Sequence, residues 1–281
     1  MDPFVFAAVL VAAACHASWN ALIKIRLDPF LGIVLIAAAA GIVSLPLLLF
    51  VPIPPLAAWP WLALSVITHL GYYIGLSRAY RAGDMGQVYP IARGSAPLMT
   101  AAGGALLIGE NFSLIGWGGI LGLTAGIFLL SLRGGGHLAH LNRHAVGYAL
   151  FTAVTICCYS LVDGIGARTA GNAHSYALWL FVIDGAFITT IALLSHGWEA
   201  VPVMVRQWKS GLAGGILSLA AYWIVIWGMT VAPIALVASL RETSVLFGTV
   251  IAVVFLKEPL RPPRIFAALL IVLGLGLIRL Q

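Results

Sequence analysis

Apolar stretches of about twenty residues, set apart by short clusters of charge, proline and glycine, recur along this chain. They run approximately 4–23, 30–51, 58–78, 84–108, 112–132, 145–166, 175–195, 209–229, 233–256 and 263–280. A helix needs about 20 apolar residues to cross the hydrocarbon of a bilayer, where it satisfies its own backbone hydrogen bonds. Breakers mark the limits at Asp28-Pro29, Pro52-Ile53-Pro54-Pro55, Gly134-Gly135-Gly136, Pro259 and Pro262-Pro263. A β-barrel would alternate polar and apolar positions over segments of about ten residues, and these stretches do not alternate. The pattern predicts an all-α, polytopic membrane protein with ten transmembrane helices.

Composition narrows the function classes. The 281 residues are 62% hydrophobic and only 9% charged, against roughly 45–50% and about 25% for a soluble domain. That excludes a soluble enzyme, a disordered chain and a disulfide scaffold. Cys15, Cys157 and Cys158 lie within apolar runs without metal-ligand spacing, so buried reduced thiols are expected. The first apolar run has no basic leader and no small-residue cleavage site, and reads as a retained span.

The net charge of +6 is scattered over short connections, which points to membrane orientation and not to nucleic acid. Lys24, Arg26, Arg78, Arg81, Arg133, Arg143, Arg206, Lys209, Lys257, Arg261 and Arg264 all fall in the odd-numbered connections. By the positive-inside rule those connections are cytoplasmic and both termini lie outside.

The two halves of the chain resemble each other. Arg93 stands seventeen residues before Glu110, and Arg241 seventeen before Glu258; both pairs are offset by 148, as are Gly126 and Gly274. Tyr72-Tyr73-Ile74 parallels Tyr222-Trp223-Ile224 at an offset of 150. The expectation is two five-helix units, 1–136 and 137–281. With an odd number of spans in each, the second inserts upside down, the architecture of secondary transporters.

Several motifs also resemble the drug/metabolite transporter superfamily in its EamA-type branch. They are Gly109-Glu110-Asn111-Phe112-Ser113, Lys257-Glu258-Pro259-Leu260, the glycine-bearing ends of spans 5 and 10, and the run His16-Ala17-Ser18-Trp19-Asn20 with Lys24. Within that superfamily the chain looks most like exporters of aromatic and other amino acids. The resemblance implies a multi-pass carrier in the inner or plasma membrane, working by alternating access on a small molecule. Carriers of drugs, cations or sugar derivatives are the alternative within the superfamily, and a membrane enzyme or scaffold is the reading outside it.

Ionisable groups inside a membrane are expensive and mark cavities or partners. The candidates are Arg93, Arg241 and Glu242, with His16, His69, Asp163 and Asp184 as proton or charge carriers. An Arg fork suits a substrate carboxylate, and Glu242 either holds the ammonium or faces away and satisfies Arg241. Trp19, Tyr72, Tyr73, Tyr89, Tyr159, Tyr222 and Trp223 are candidates for an aromatic cavity wall or for core packing. Pro90, Gly94 and Pro97 interrupt span 4 and form a candidate hinge.

Gly118, Gly122 and Gly126 form a close-packing face, assigned to packing within the chain in a monomer or weak homodimer. Without a Walker loop, a nucleophile elbow or a metal-ligand cluster, neither cofactor nor metal is expected, and no enzymatic activity.

Overall fold

The apolar stretches are helices in the computed structural model, which describes residues 1–23, 28–83, 85–132, 142–255 and 262–281; no strand occurs among the described residues. In chain order the helices are α1 (Pro3–Ile23), α2 (Pro29–Leu47), α3 (Trp59–Ala82), α4 (Met85–Gly103), α5 (Leu114–Leu132), α6 (Arg143–Ala170) and α7 (Ala173–His196). Then come α8 (Ala200–Val205), α9 (Trp208–Val231), α10 (Ile234–Arg241), α11 (Ser244–Phe255) and α12 (Pro262–Leu280). Among the described residues eight segments are long and apolar enough to cross a membrane, α10 and α11 together forming one of them; α3 and α5 fall outside that group. The expected boundary at 136/137, Lys24 and the run Lys257-Glu258-Pro259-Leu260 lie outside the described residues.

Local chemistry sets the helix ends. Asp28, Asn142 and Asn172 accept the backbone N–H groups of Phe30, His144 and Ser175 at 3.0, 2.9 and 3.0 Å. Each satisfies a donor that a helix start leaves unpaired. Gly171, in the left-handed region at φ 66°, closes α6. Proline does not break α4 at positions 90 or 97; it runs as one helix and ends in a π-helical segment, Gly104–Ile108. The interruption lies instead in the expected span 233–256, at Glu242-Thr243 between α10 and α11.

Helix pairing places the core. α5 packs along α12, α3 along α6, α2 along α7 and α1 along α9, while α4 lies against α5, α6 and α10. The α5–α12 seam is close because glycines face each other: a Cβ on Gly274 would sit 2.6 Å from Leu123 N and 2.8 Å from Gly119 O. Gly119, Gly122 and Gly126 form that face, whereas Gly118 has only Leu277 near it. The periphery is strongly apolar; Leu114 is 92% and Leu49 86% exposed. Water would penalise such a surface, and lipid tails solvate it.

Candidate functional site

A central cavity of about 70 Å³ collects side chains from seven helices. Most contribute neighbours at helical spacing: His16 and Trp19 from α1, Ile33, Ile36 and Ala37 from α2, His69, Tyr72 and Tyr73 from α3. Tyr159 comes from α6, Leu180, Phe181 and Asp184 from α7, Ser218 and Tyr222 from α9, and Arg241 from the end of α10. Residues three and four apart share a helix face, so one face per helix builds the wall. The rings interlock: His69 stacks on Tyr159 at 4.4 Å between centroids and meets Tyr222 edge-on at 5.7 Å. Tyr72 meets both Tyr73 and Tyr159 edge-on, at 5.6 and 5.8 Å.

Behind one end of this cavity lies an ion network with almost no exposure. Arg93 Nη1 donates to Glu242 Oε2 at 3.0 Å and Oε1 at 3.2 Å. Arg241 donates to Oε1 from Nη2 at 2.8 Å and from Nε at 3.2 Å. Arg93 Nη2 reaches Tyr72 Oη at 3.3 Å and His16 Nε2 at 2.6 Å. A guanidinium has no acceptor, so Nε2 of His16 is the accepting nitrogen. A neutral imidazole accepts at only one nitrogen, which makes the 3.3 Å approach of Trp19 Nε1 to Nδ1 a contact and not a second hydrogen bond. The Arg241 guanidinium also lies over the rings of Tyr159 and Tyr222, at 5.2 and 5.6 Å.

Two more buried carboxylates lie nearby, Asp184 on the wall and Asp163 behind it. Asp163 accepts the hydroxyls of Tyr222 and, at 3.0 Å, of Tyr176. Asp184 Oδ2 accepts the Tyr73 hydroxyl at 2.7 Å, while Oδ1 is buried with no hydrogen-bond partner among the described residues. His69 Nδ1 sits 3.0 Å from the Ser65 carbonyl and 3.2 Å from the Ser65 hydroxyl.

Arg93 and Glu242 stand behind the cavity rather than on its surface, and neither Asp163 nor Trp223 lines it. Trp223 Nε1 donates to His174 Nδ1 at 2.8 Å. Gly94 is buried with the Phe128 ring 3.1 Å from where a Cβ would be, and Pro97 is buried beside it on α4. The side chains of Tyr89 and Pro90 lie outside the described residues. Among the described residues no three His, Cys, Asp or Glu are grouped to hold a metal ion.

Sequence reasoning did not select Ile33, Ile36, Ala37, Leu180, Phe181 or Ser218. Phe181 three residues before Asp184, and Ser218 four before Tyr222, carried a usable helical spacing; the aliphatic residues carried none. In the sequence Glu110 marks the internal repeat and a family-like motif, not a contact. Its carboxylate accepts the N–H groups of Ile234 at 2.5 Å and Ala235 at 3.1 Å, closing the start of α10 from the other half of the chain. Arg168 lies 3.8 Å from Glu110 and donates to the Met229 and Ala232 carbonyls, both at 2.9 Å.

This all-helical architecture, with its apolar periphery, defines a multi-pass integral membrane protein. Residues 145–280 match the EamA-like transporter family, so the second half of the chain carries an EamA-like domain. A solved crystal structure described only as that of a protein has the same fold, with a TM-score of 0.76 at 20% identity; the match covers 99% of this chain and 96% of that one. No curated protein sequence matches the chain.

Proposed function

We propose that this protein is a secondary transporter of the drug/metabolite transporter superfamily that moves amino acids, aromatic and other neutral ones, by alternating access. The observation that carries this reading is the composition of the cavity wall, which takes α1, α2 and α3 from the first half of the chain and α6, α7, α9 and α10 from the second. A carrier that opens to each side in turn needs its site at such an interface. Two inverted five-helix repeats account for the packing. Exchanging α1, α2, α3, α4 and α5 for α6, α7, α9, α10–α11 and α12 turns the α3–α6 contact into α9–α1. It turns α4–α6 into the contact of α10 and α11 with α1, and maps α2–α7 and α5–α12 onto themselves.

The substrate class follows from what the wall offers. Arg241 gives Nε and Nη2 to Glu242, which leaves Nη1 for a substrate carboxylate, and the rings accept an apolar or aromatic side chain. Ligand cavities usually measure about 300–1,000 Å³, so at about 70 Å³ this one must widen to admit such a molecule. The use of Gly119, Gly122 and Gly126 by α12 within the chain supports a monomer. A carrier of organic cations is the second reading, favoured by the engagement of both guanidiniums with Glu242.

Counterflow tests the proposal. Proteoliposomes preloaded with unlabelled phenylalanine accumulate labelled phenylalanine saturably, and Arg241→Ala abolishes the uptake. Absence of counterflow for phenylalanine and the other neutral amino acids overturns the substrate class. Uptake of organic cations alone favours the second reading.

A further inference from the structure

We propose that Asp184 is the group in the cavity that binds the ammonium of the transported molecule. The assignment rests on the transporter reading above and gives that site its recognition of positive charge. Three carboxylates surround the cavity, and two of them are fully engaged. Glu242 is clamped by Arg93 and Arg241, and Asp163 accepts two tyrosine hydroxyls. Asp184 differs: Tyr73 fixes Oδ2 from one side, and Oδ1 faces no donor among the described residues although the residue is only 6% exposed.

An unmet carboxylate oxygen inside a membrane protein is costly. Asp184 lines the cavity, and its unmet oxygen is a place kept for a donor that the described residues do not supply. The guanidiniums of Arg93 and Arg241 are both engaged by Glu242, and among the described residues no cation pairs with Asp184. The surroundings select the donor. Tyr72, Tyr73 and Phe181 on the same wall present rings whose faces attract a cation. An ammonium brings several N–H donors, one of which makes a charge-assisted hydrogen bond to Oδ1. Glu242 does not take this role, because both its oxygens are already held.

The test uses the purified full-length protein and three ligands of one shape: L-phenylalanine, 2-phenylethylamine and 3-phenylpropionate. Calorimetric titration shows binding of phenylalanine and phenylethylamine, with phenylpropionate at least about 10-fold weaker. Asp184→Asn weakens the first two about 10- to 100-fold, as expected for loss of a hydrogen bond to a charged group, with phenylpropionate unchanged or tighter. Phenylpropionate binding as tightly as phenylethylamine overturns the assignment, as does unchanged amine binding in a folded Asp184→Asn protein. If that variant does not fold, the charge preference of the parent protein decides. The transporter reading fails separately: amine binding without counterflow in proteoliposomes sinks it and leaves Asp184 a cation site. Counterflow insensitive to phenylethylamine sinks the Asp184 assignment alone, and the absence of both binding and flux sinks both.

Discussion

Glu242 Oε2 accepts from Arg93 Nη1 at 3.0 Å across 149 residues of chain, with each side chain 1% exposed. The same carboxylate holds Arg241, so one anion separates two buried cations. Removing the anion and removing one cation therefore have unequal effects. Glu242→Gln leaves two guanidiniums side by side without compensation, at a cost of about 3–5 kcal/mol for breaking a buried pair. Arg93→Met leaves the Arg241–Glu242 pair balanced. Thermal unfolding in detergent is expected to rank the parent above Arg93→Met and Arg93→Met above Glu242→Gln. Equal losses for the two variants contradict the shared-anion arrangement.

Glu110 joins the two halves at another point. Its carboxylate serves α10 as a helix cap supplied from a remote segment, where Pro233 in the cap position offers no side-chain acceptor. Glu110→Ala frees the N–H groups of Ile234 and Ala235, and a lost cap costs about 0.5–2 kcal/mol. Hydrogen exchange is expected to quicken first at those two amides, with α5 and α12 unaffected. Uniform quickening across the helices, or none at α10, rules out the local cap.

Helix positions were largely legible from the apolar pattern: 145–166 lies within Arg143–Ala170, and 209–229 within Trp208–Val231. The interruption at Glu242-Thr243 was not, because neither proline nor glycine marks it; it falls beside a buried ion network that forms only when α4 reaches α10. Span 4 misled in the opposite direction. Pro90 and Pro97 suggested a broken helix, yet α4 is continuous, since helices in a membrane bundle tolerate proline when neighbours satisfy the freed groups. For the cavity, the sequence offers His69, Tyr72 and Tyr73 as separate candidates, and their separations of three and four residues along α3 bring them to one wall. Whether Arg93 or Arg241 reaches that wall depends on the rotation of each helix about its axis, which apolar residues on every side leave undetermined.

The α5–α12 seam predicts opposite outcomes for two glycines two positions apart. A Cβ on Gly274 meets backbone atoms of α5 at 2.6 and 2.8 Å, which cannot yield as a side chain does. Gly274→Ala is expected to part the helices and cost about 1–3 kcal/mol by overpacking. Gly276 has nothing within 4 Å of such a Cβ. Gly276→Ala is expected to be neutral or to stabilise by about 0.5–1 kcal/mol through helix propensity. Melting temperatures of the two variants check the contrast, and an equal loss in both argues against a close seam.

Asp28 and Arg81 form a 2.8 Å ion pair linking the start of α2 to the last turn of α3, outside the apolar windows. Partial burial alone would raise the Asp28 pKa. The Arg81 hydrogen bond, the backbone donors at the start of α2 and the Arg81 charge outweigh it and hold the carboxyl below its ordinary value. A carboxyl with a lowered folded pKa contributes its full stabilisation above the unfolded value of about 3.9, and loses it as the pH falls through the folded value. Because the side chains are 58% and 36% exposed, solvent screening keeps the contribution under about 1 kcal/mol. Asp28→Asn keeps an acceptor for the helix cap and removes only the charge. The parent is expected to melt slightly above Asp28→Asn at pH 6, and the gap to close as the pH falls below about 4. A gap that is constant over that range, or that widens on acidification, contradicts the assignment of the effect to this pair.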